Sequence, residues 1–133
     1  MSDCIFCKIV KGEAKSRKVY ETEDTYAFFD IYPTTRYHTL VIPKKHYTTI
    51  FDIPEQELRS VITSVKKVAK LFEEKLGIHN IQIISNSGAV AQQEVFHLHF
   101  HIVPRKRGDG QNIKWNKDSE LVKDFEDMLD KIK

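Results

Sequence analysis

Three of the six histidines in this 133-residue chain stand at alternate positions of one segment, Val95-Phe96-His97-Leu98-His99-Phe100-His101-Ile102-Val103. Side chains of a strand alternate between its faces, so His97, His99 and His101 should share one side. Phe96, Leu98, Phe100 and Ile102 then form an apolar underside suited to burial. Residues two apart on a strand are separated by roughly 6.6 Å, so neighbouring imidazoles in the row can reach one phosphate. A neutral imidazole is a nucleophile that titrates near neutrality, so one ring can attack phosphorus while another donates a proton or hydrogen bond. A lone strand histidine is more often a partly exposed bystander or a metal ligand. Three in register with an apolar backing point to a reacting or binding centre.

Cys4 and Cys7 are the only cysteines. Two are too few for a disulfide scaffold, and a Cys-x-x-Cys pair in a reducing compartment points to metal or redox chemistry. No second Cys-x-x-Cys follows, so a metal held here must draw its other ligands from distant histidines. A redox dithiol and two buried cysteines are the rival readings, the first lacking a thioredoxin-like strand-helix context.

These groups need a scaffold, and the clearest element is a long helix. After Asp52, a candidate cap, and Pro54 in a first turn, apolar residues recur at Leu58, Val61, Ile62, Val65, Val68, Ala69, Phe72 and Leu76, and Gly77 closes the run. Charged residues take the other side, so the helix must lie on a sheet. A second helical pattern runs from Glu120 to Ile132 and is expected to pack as a terminal helix. Strand-like runs cover Val19 to Glu21, Thr25 to Phe29, His38 to Ile42, Asn80 to Ser85 and Val95 to Val103. Glu23-Asp24 reads as a hairpin turn, making at least part of the sheet antiparallel. Asn86-Ser87-Gly88 reads as a loop able to approach a ligand. The fold class is α+β, in a single domain spanning residues 1–133.

The formal charge is +2, and the only tight basic cluster outside the helices is Arg105-Lys106-Arg107, read as a solvated turn. A dedicated nucleic-acid binder is therefore not expected. No apolar run approaches the roughly 18 residues of a membrane span, and Met1-Ser2-Asp3-Cys4 lacks a signal-peptide layout, so the expectation is a cytoplasmic protein with no membrane partner. His79 at the end of the long helix receives no catalytic role. Trp115 is expected in a packing or dimer contact.

The triad segment resembles the His-φ-His-φ-His-φ-φ signature of the histidine triad (HIT) superfamily, φ being apolar. Phe28-Phe29-Asp30-Ile31-x-Pro33 and His38-Thr39-Leu40-Val41-Ile42-Pro43-Lys44-x-His46 are similar to that family's upstream blocks, in the same order. The likeness covers residues 4–107 and leaves the tail and helix of 108–133 outside. The branch most resembled is that of the zinc-containing histidine triad nucleotide-binding proteins. The resemblance implies a homodimer built on antiparallel sheets that binds purine nucleotides and hydrolyses phosphoramidates or adenylate conjugates to the mononucleotide. It implies His99 as the nucleophile forming a nucleotidyl-histidine and His101 at the phosphate and leaving group. His97 and His38 complete that imidazole network. Asp30, followed by Ile31, falls at the position that holds the ribose hydroxyls, although a turn-capping Asp before Pro33 fits the local sequence equally. Phe6, Ile9 and Phe28 align with positions enclosing the base, and would also pass as ordinary core. Asn86 aligns with a polar position near the phosphate or ribose.

Where relatives carry Gly-Gln-Ser or Gly-Gln-Thr before the triad, this chain has Gln92-Gln93-Glu94. Gln93 fits the pattern, whereas Gln92 restricts a backbone that glycine would leave free and Glu94 sets a carboxylate close to an anionic substrate. The resemblance also pairs Cys4 and Cys7 with His46 and His97. Four such ligands close a tetrahedral Zn(2+) site, which is structural because a catalytic zinc keeps one position open. No catalytic metal is expected, since imidazoles and loop amides can supply the charge stabilisation phosphoryl transfer needs. Two other functions fit the sequence: a dinucleoside polyphosphate hydrolase, and a nucleotide-binding or interaction protein without catalysis.

Overall fold

The computed structural model describes residues 3–133. Met1 and Ser2, which entered the reading of the N-terminus, lie outside the described residues. The order of elements is α1 (Ile5–Val10), β1 (Lys18–Glu21), β2 (Thr25–Phe29), β3 (Thr39–Pro43), α2 (Glu55–Leu76), β4 (Ile81–Ile84), β5 (Phe100–Pro104) and α3 (Phe125–Ile132), with short 3-10 turns at Ala89–Ala91 and Ser119–Asp124. The strands form one antiparallel sheet in the order β1-β2-β3-β5-β4. This is the α+β architecture the sequence predicts.

The two faces of the sheet bury different partners. Alternation along β3 sends Val41 to one side, where it meets Ala27, Leu98, Ile102 and the α2 stripe of Val61, Val65, Val68 and Phe72. Leu40 and Ile42 point to the other side, against Phe28 and the α1 residues Phe6 and Ile9. Burying each such side chain contributes on the order of 1.5–3 kcal/mol. A helix on each face leaves β3 fully buried. In the sheet register Phe28, Leu40, His101 and Ile84 stand in one row, so His101 belongs to the α1 face.

Four expectations need correction. The strand begins at Phe100 and not at Val95: residues 95–99 run into it outside the regular ladder, with the Leu98 N–H donating to the Tyr47 carbonyl at 2.7 Å. The apolar underside is accordingly incomplete, for Leu98 and Ile102 are buried while Phe96 is 47% exposed. Asp52 does not cap α2; Pro54 holds that position, and the Asp52 carboxylate accepts from the N–H groups of Thr48 and Thr49 in the preceding turn. The C-terminal helix is α only over Phe125–Ile132, has no buried residue, and does not pack on the body. Trp115, expected in a packing or dimer contact, is exposed within this one chain, which leaves the dimer contact open to it. Gly77 does end α2, in the left-handed conformation that glycine adopts without a Cβ clash.

Candidate functional site

A six-residue helix, too short for its periodicity to be legible, starts the site. Cys4 caps α1, its Sγ accepting from the Cys7 N–H, which turns both sulfurs to the same side. The Cys4 Sγ lies 3.4 Å from the His97 Nδ1, and the Cys7 Sγ lies 3.3 Å from the His46 Nδ1 and 3.5 Å from the His97 Nδ1. A zinc ion with ordinary Zn–S and Zn–N bonds has tetrahedral S···N edges of about 3.6 Å. Cys4, Cys7, His46 and His97 are therefore spaced to hold a metal ion. The His97 Nε2–H donates to the Pro43 carbonyl at 2.8 Å, which fixes the tautomer and leaves the Nδ1 lone pair toward the thiols. Burial keeps this ring neutral, pushing His97 down to about 4. Burial and the neighbouring Cys4 raise the Cys7 thiol, so metal binding there has to displace a proton.

Two residues further on the arrangement reverses. The His99 Nδ1–H donates to the His97 carbonyl at 2.8 Å. A neutral imidazole has one N–H, so the His99 Nε2 carries the free lone pair. Burial lowers the pKa of His99 and favours that neutral form. The Phe6 ring stands edge-on to His99 at 5.2 Å between centroids and edge-on to His97 at 5.8 Å, so α1 orients both. On the other side the Ser85 hydroxyl donates to the His99 carbonyl at 2.8 Å, joining the loop after β4 to the same residue.

His101 is next, 5.0 Å from His99 between ring centroids. Its proton placement follows from a chain of donors. The Thr34 backbone N–H donates to the His38 Nδ1 at 3.1 Å, and because a backbone N–H can only donate, His38 carries its proton on Nε2. The His38 Nε2–H in turn donates to the His101 Nδ1 at 2.9 Å, which leaves the His101 Nε2–H as a donor. Burial, then the adjoining His99 and His38 rings, push His101 down to about 4, with Asp30 opposing. Burial also lowers the pKa of His38, again against Asp30. The Asp30 Oδ2 sits 3.5 Å from the His38 Nε2, while its Oδ1 accepts from the Tyr32 N–H at 2.8 Å. Asp30 thus caps a turn and also faces the imidazoles. Just before His38, Tyr37 is held at φ 68, a strained conformation for an aromatic residue, braced by the Thr39 hydroxyl donating to its carbonyl.

The remaining candidates separate. His97 has both ring nitrogens engaged, so the catalytic part expected of it has no free nitrogen to act with. Phe6, Ile9 and Phe28 are buried in the α1-face cluster, whereas Ile31 is 74% exposed beside Asp30. Asn86 is half-buried in the loop after β4. The Gln93 amide is engaged within the chain: its Nε2 donates to the Thr48 and Val95 carbonyls and its Oε1 accepts from the Gly88 N–H. It braces the loop between Thr48, Gly88 and Val95. Gln92 adopts φ 74, the left-handed region a glycine would favour. Glu94 is exposed and lines, with Cys4, His46 and Phe96, a cleft of about 490 Å³ beside the Cys/His cluster. Arg105 is clasped by Asp109 at 2.7 Å and by Gln82, so it is not a free anion attractor. His79 lies 3.4 Å from Glu73, away from the site. The sequence marks Pro43 only as part of the block before His46 and gives no sign of the roles of Thr34, Pro43 or Ser85, because two act through backbone groups and the third is a single serine just after β4.

Comparison with known proteins adds an independent line. The family description "HIT domain" matches residues 11–108. An uncharacterized HIT-like protein of Methanocaldococcus jannaschii is 45% identical over 130 residues, covering 98% of each chain. The adenosine 5'-monophosphoramidase of Saccharomyces cerevisiae is 45% identical over 103 residues, 77% of this chain and 63% of that one. Among solved structures, a Zn-bound histidine triad family protein from Mycobacterium smegmatis superposes with a TM-score of 0.79 at 34% identity, covering 99% of both chains.

Proposed function

This chain belongs to the histidine triad family, and from that premise we propose that it is a hydrolase of purine nucleoside phosphoramidates or adenylate conjugates that works through a nucleotidyl intermediate on His99. The observation that carries the reading is a free ring lone pair: the His97 carbonyl holds the Nδ1–H of His99 and leaves Nε2 as the nucleophile. Support for the substrate class comes from the relatives named as adenosine 5'-monophosphoramidases.

In the first half of the reaction the His99 Nε2 forms a bond to the α-phosphorus and the P–N bond breaks. The departing amine takes the Nε2 proton of His101, which the Thr34-His38-His101 chain has placed there. In the second half a water gives a proton back to His101 and attacks phosphorus, releasing the mononucleotide and restoring His99. Asp30 is positioned to accept from ribose hydroxyls with Ile31 beside it, and Asn86 lies where the β4 loop approaches His99. Phe6 fixes the His99 ring edge-on, and Glu94 discriminates against anionic leaving groups by like charge.

Cys4, Cys7, His46 and His97 would hold zinc. Bound there, it supplies a structural cross-link between α1, the segment after β3 and the triad segment, and no substrate-binding position. The assembly is a homodimer in this reading, supported by the exposed Tyr32, Phe51 and Trp115 and checked by sedimentation velocity. The test of the chemistry is mass spectrometry of enzyme quenched after mixing with an adenosine phosphoramidate. A nucleotidyl adduct on the peptide carrying His99, absent in His99→Ala, is the expected result. Full turnover by His99→Ala would overturn the reading.

A further inference from the structure

Beyond the Cys/His tetrad, one more group of side chains among the described residues converges as metal ligands do: Asp30, His38 and His101, whose ligand atoms all lie within 4.8 Å of one another. The His38 Nε2 is 2.9 Å from the His101 Nδ1 and 3.5 Å from the Asp30 Oδ2. For a tetrahedral ion with bonds near 2.05 Å the edges between N and O ligands are about 3.3 Å, so these separations need only small adjustments. Two imidazoles and a carboxylate form a borderline donor set suited to zinc, cobalt or copper, and three ligands leave a coordination position open.

We propose that Asp30, His38 and His101 form a second site for a divalent transition-metal ion, weaker than the thiolate tetrad, whose occupation takes the Asp30 carboxylate and breaks the His38–His101 hydrogen bond of the proposed proton relay. Two of the three ligands are ready. The His101 Nδ1 already presents a lone pair, and the Asp30 Oδ2 is free of the Tyr32 N–H, which binds Oδ1. The third is opposed by its backbone. A metal on the His38 Nε2 moves that ring's proton to Nδ1, where it meets the donating Thr34 N–H. Losing an outer partner of this kind lowers metal affinity by about 10–100-fold. The tetrad faces no such conflict, because Pro43 holds His97 in the ligating tautomer. The same hydrogen bond that sets the proton relay therefore also keeps the relay clear of metal until the tetrad is filled.

Binding stands on this geometry alone, whereas its effect on turnover rests on the reaction proposed above, so the two are read separately. Co²⁺ is titrated into full-length protein already loaded with one equivalent of zinc, and the visible absorption of a cobalt site without sulfur ligands is followed. One additional equivalent per chain is expected. It should be lost in both Asp30→Asn and His101→Gln, retained in His79→Ala, which removes the surface His79/Glu73 alternative, and weakened by added AMP. Absence of a second equivalent, its survival in both site variants, or its loss in His79→Ala would overturn the site. Phosphoramidate turnover of the parent should fall over the same cobalt range. Binding with undiminished turnover would refute the overlap with the reacting imidazoles. A second equivalent in a protein with no turnover at all would leave the metal site standing and sink the proposed reaction instead.

Discussion

His97 and His99 are two residues apart, share a face, touch the same Phe6 ring, and have been given different work by one hydrogen bond each. At His97 the carbonyl of Pro43 takes Nε2–H and turns the Nδ1 lone pair to two thiols. At His99 the carbonyl of His97 takes Nδ1–H and leaves Nε2 open. Residue type and spacing are the same in both halves of the site; the backbone acceptor decides which nitrogen is available. One imidazole row therefore presents Nδ1 to the thiols at one end and a free Nε2 at the other, the division on which the proposed metal centre and nucleophile rest.

The widest separation should come from deleting each ring in turn. His99→Ala should lower phosphoramidate turnover by at least ~1,000-fold while the protein still copurifies with one metal ion. His97→Ala should do the opposite first, losing the metal as read by elemental analysis and lowering the thermal midpoint. Equal metal loss in both variants would erase the distinction between the two ends. A smaller effect is expected from removing the metal itself. Dialysis against a chelator should lower the thermal midpoint by roughly 10 °C, since a ligand bound only to the folded state stabilises it by a few kcal/mol. An unchanged midpoint would show that the tetrad does not hold α1 in place.

The loop that leads into the triad segment supplies a finer test. Gln92 is held at φ 74, so Gln92→Gly should raise stability by roughly 0.5–1 kcal/mol in denaturant unfolding, strain relief being partly offset by the entropy glycine adds to the unfolded chain. A loss of stability there would mean the Gln92 side chain makes a contribution that outweighs its backbone. The smallest effect belongs far from both ends. Arg105 and the N–H groups of Lys106 and Gln111 hold the Asp109 carboxyl well below the usual carboxylate range. A depressed acid contributes stability above its unfolded value of about 3.9 and loses it as pH falls further. Parent and Asp109→Asn proteins should therefore converge in unfolding midpoint as pH drops below about 4, without any change in metal content.

What could be read from the sequence follows the same division. The α2 stripe and Gly77 were legible because each states a local physical need, an apolar face to bury and a left-handed cap. The triad's shared face was legible from alternation alone, yet its strand was overextended: alternation reports exposure, not pairing, and residues 95–99 alternate while hydrogen-bonding irregularly. Helix α1 stayed hidden because six residues carry no period. The apolar face of α3 does read correctly as a face that wants a cover, but within this chain nothing described covers it. At the site, residue types named the candidate ligands and the proposed nucleophile, while the tautomers that set which nitrogen each ring offers depend on the backbone atoms of Pro43 and Thr34, whose hydrogen bonds leave no mark on a sequence.

The tautomers can be measured directly. Two-bond ¹H–¹⁵N correlation spectra of the histidine rings, recorded on the metal-loaded protein near neutral pH, distinguish Nδ1–H from Nε2–H at each ring. The account predicts Nε2–H for His97, His38 and His101 and Nδ1–H for His99 alone. An Nε2–H form at His99 would leave it without a free nucleophilic nitrogen where the substrate arrives, and would contradict the account at its centre.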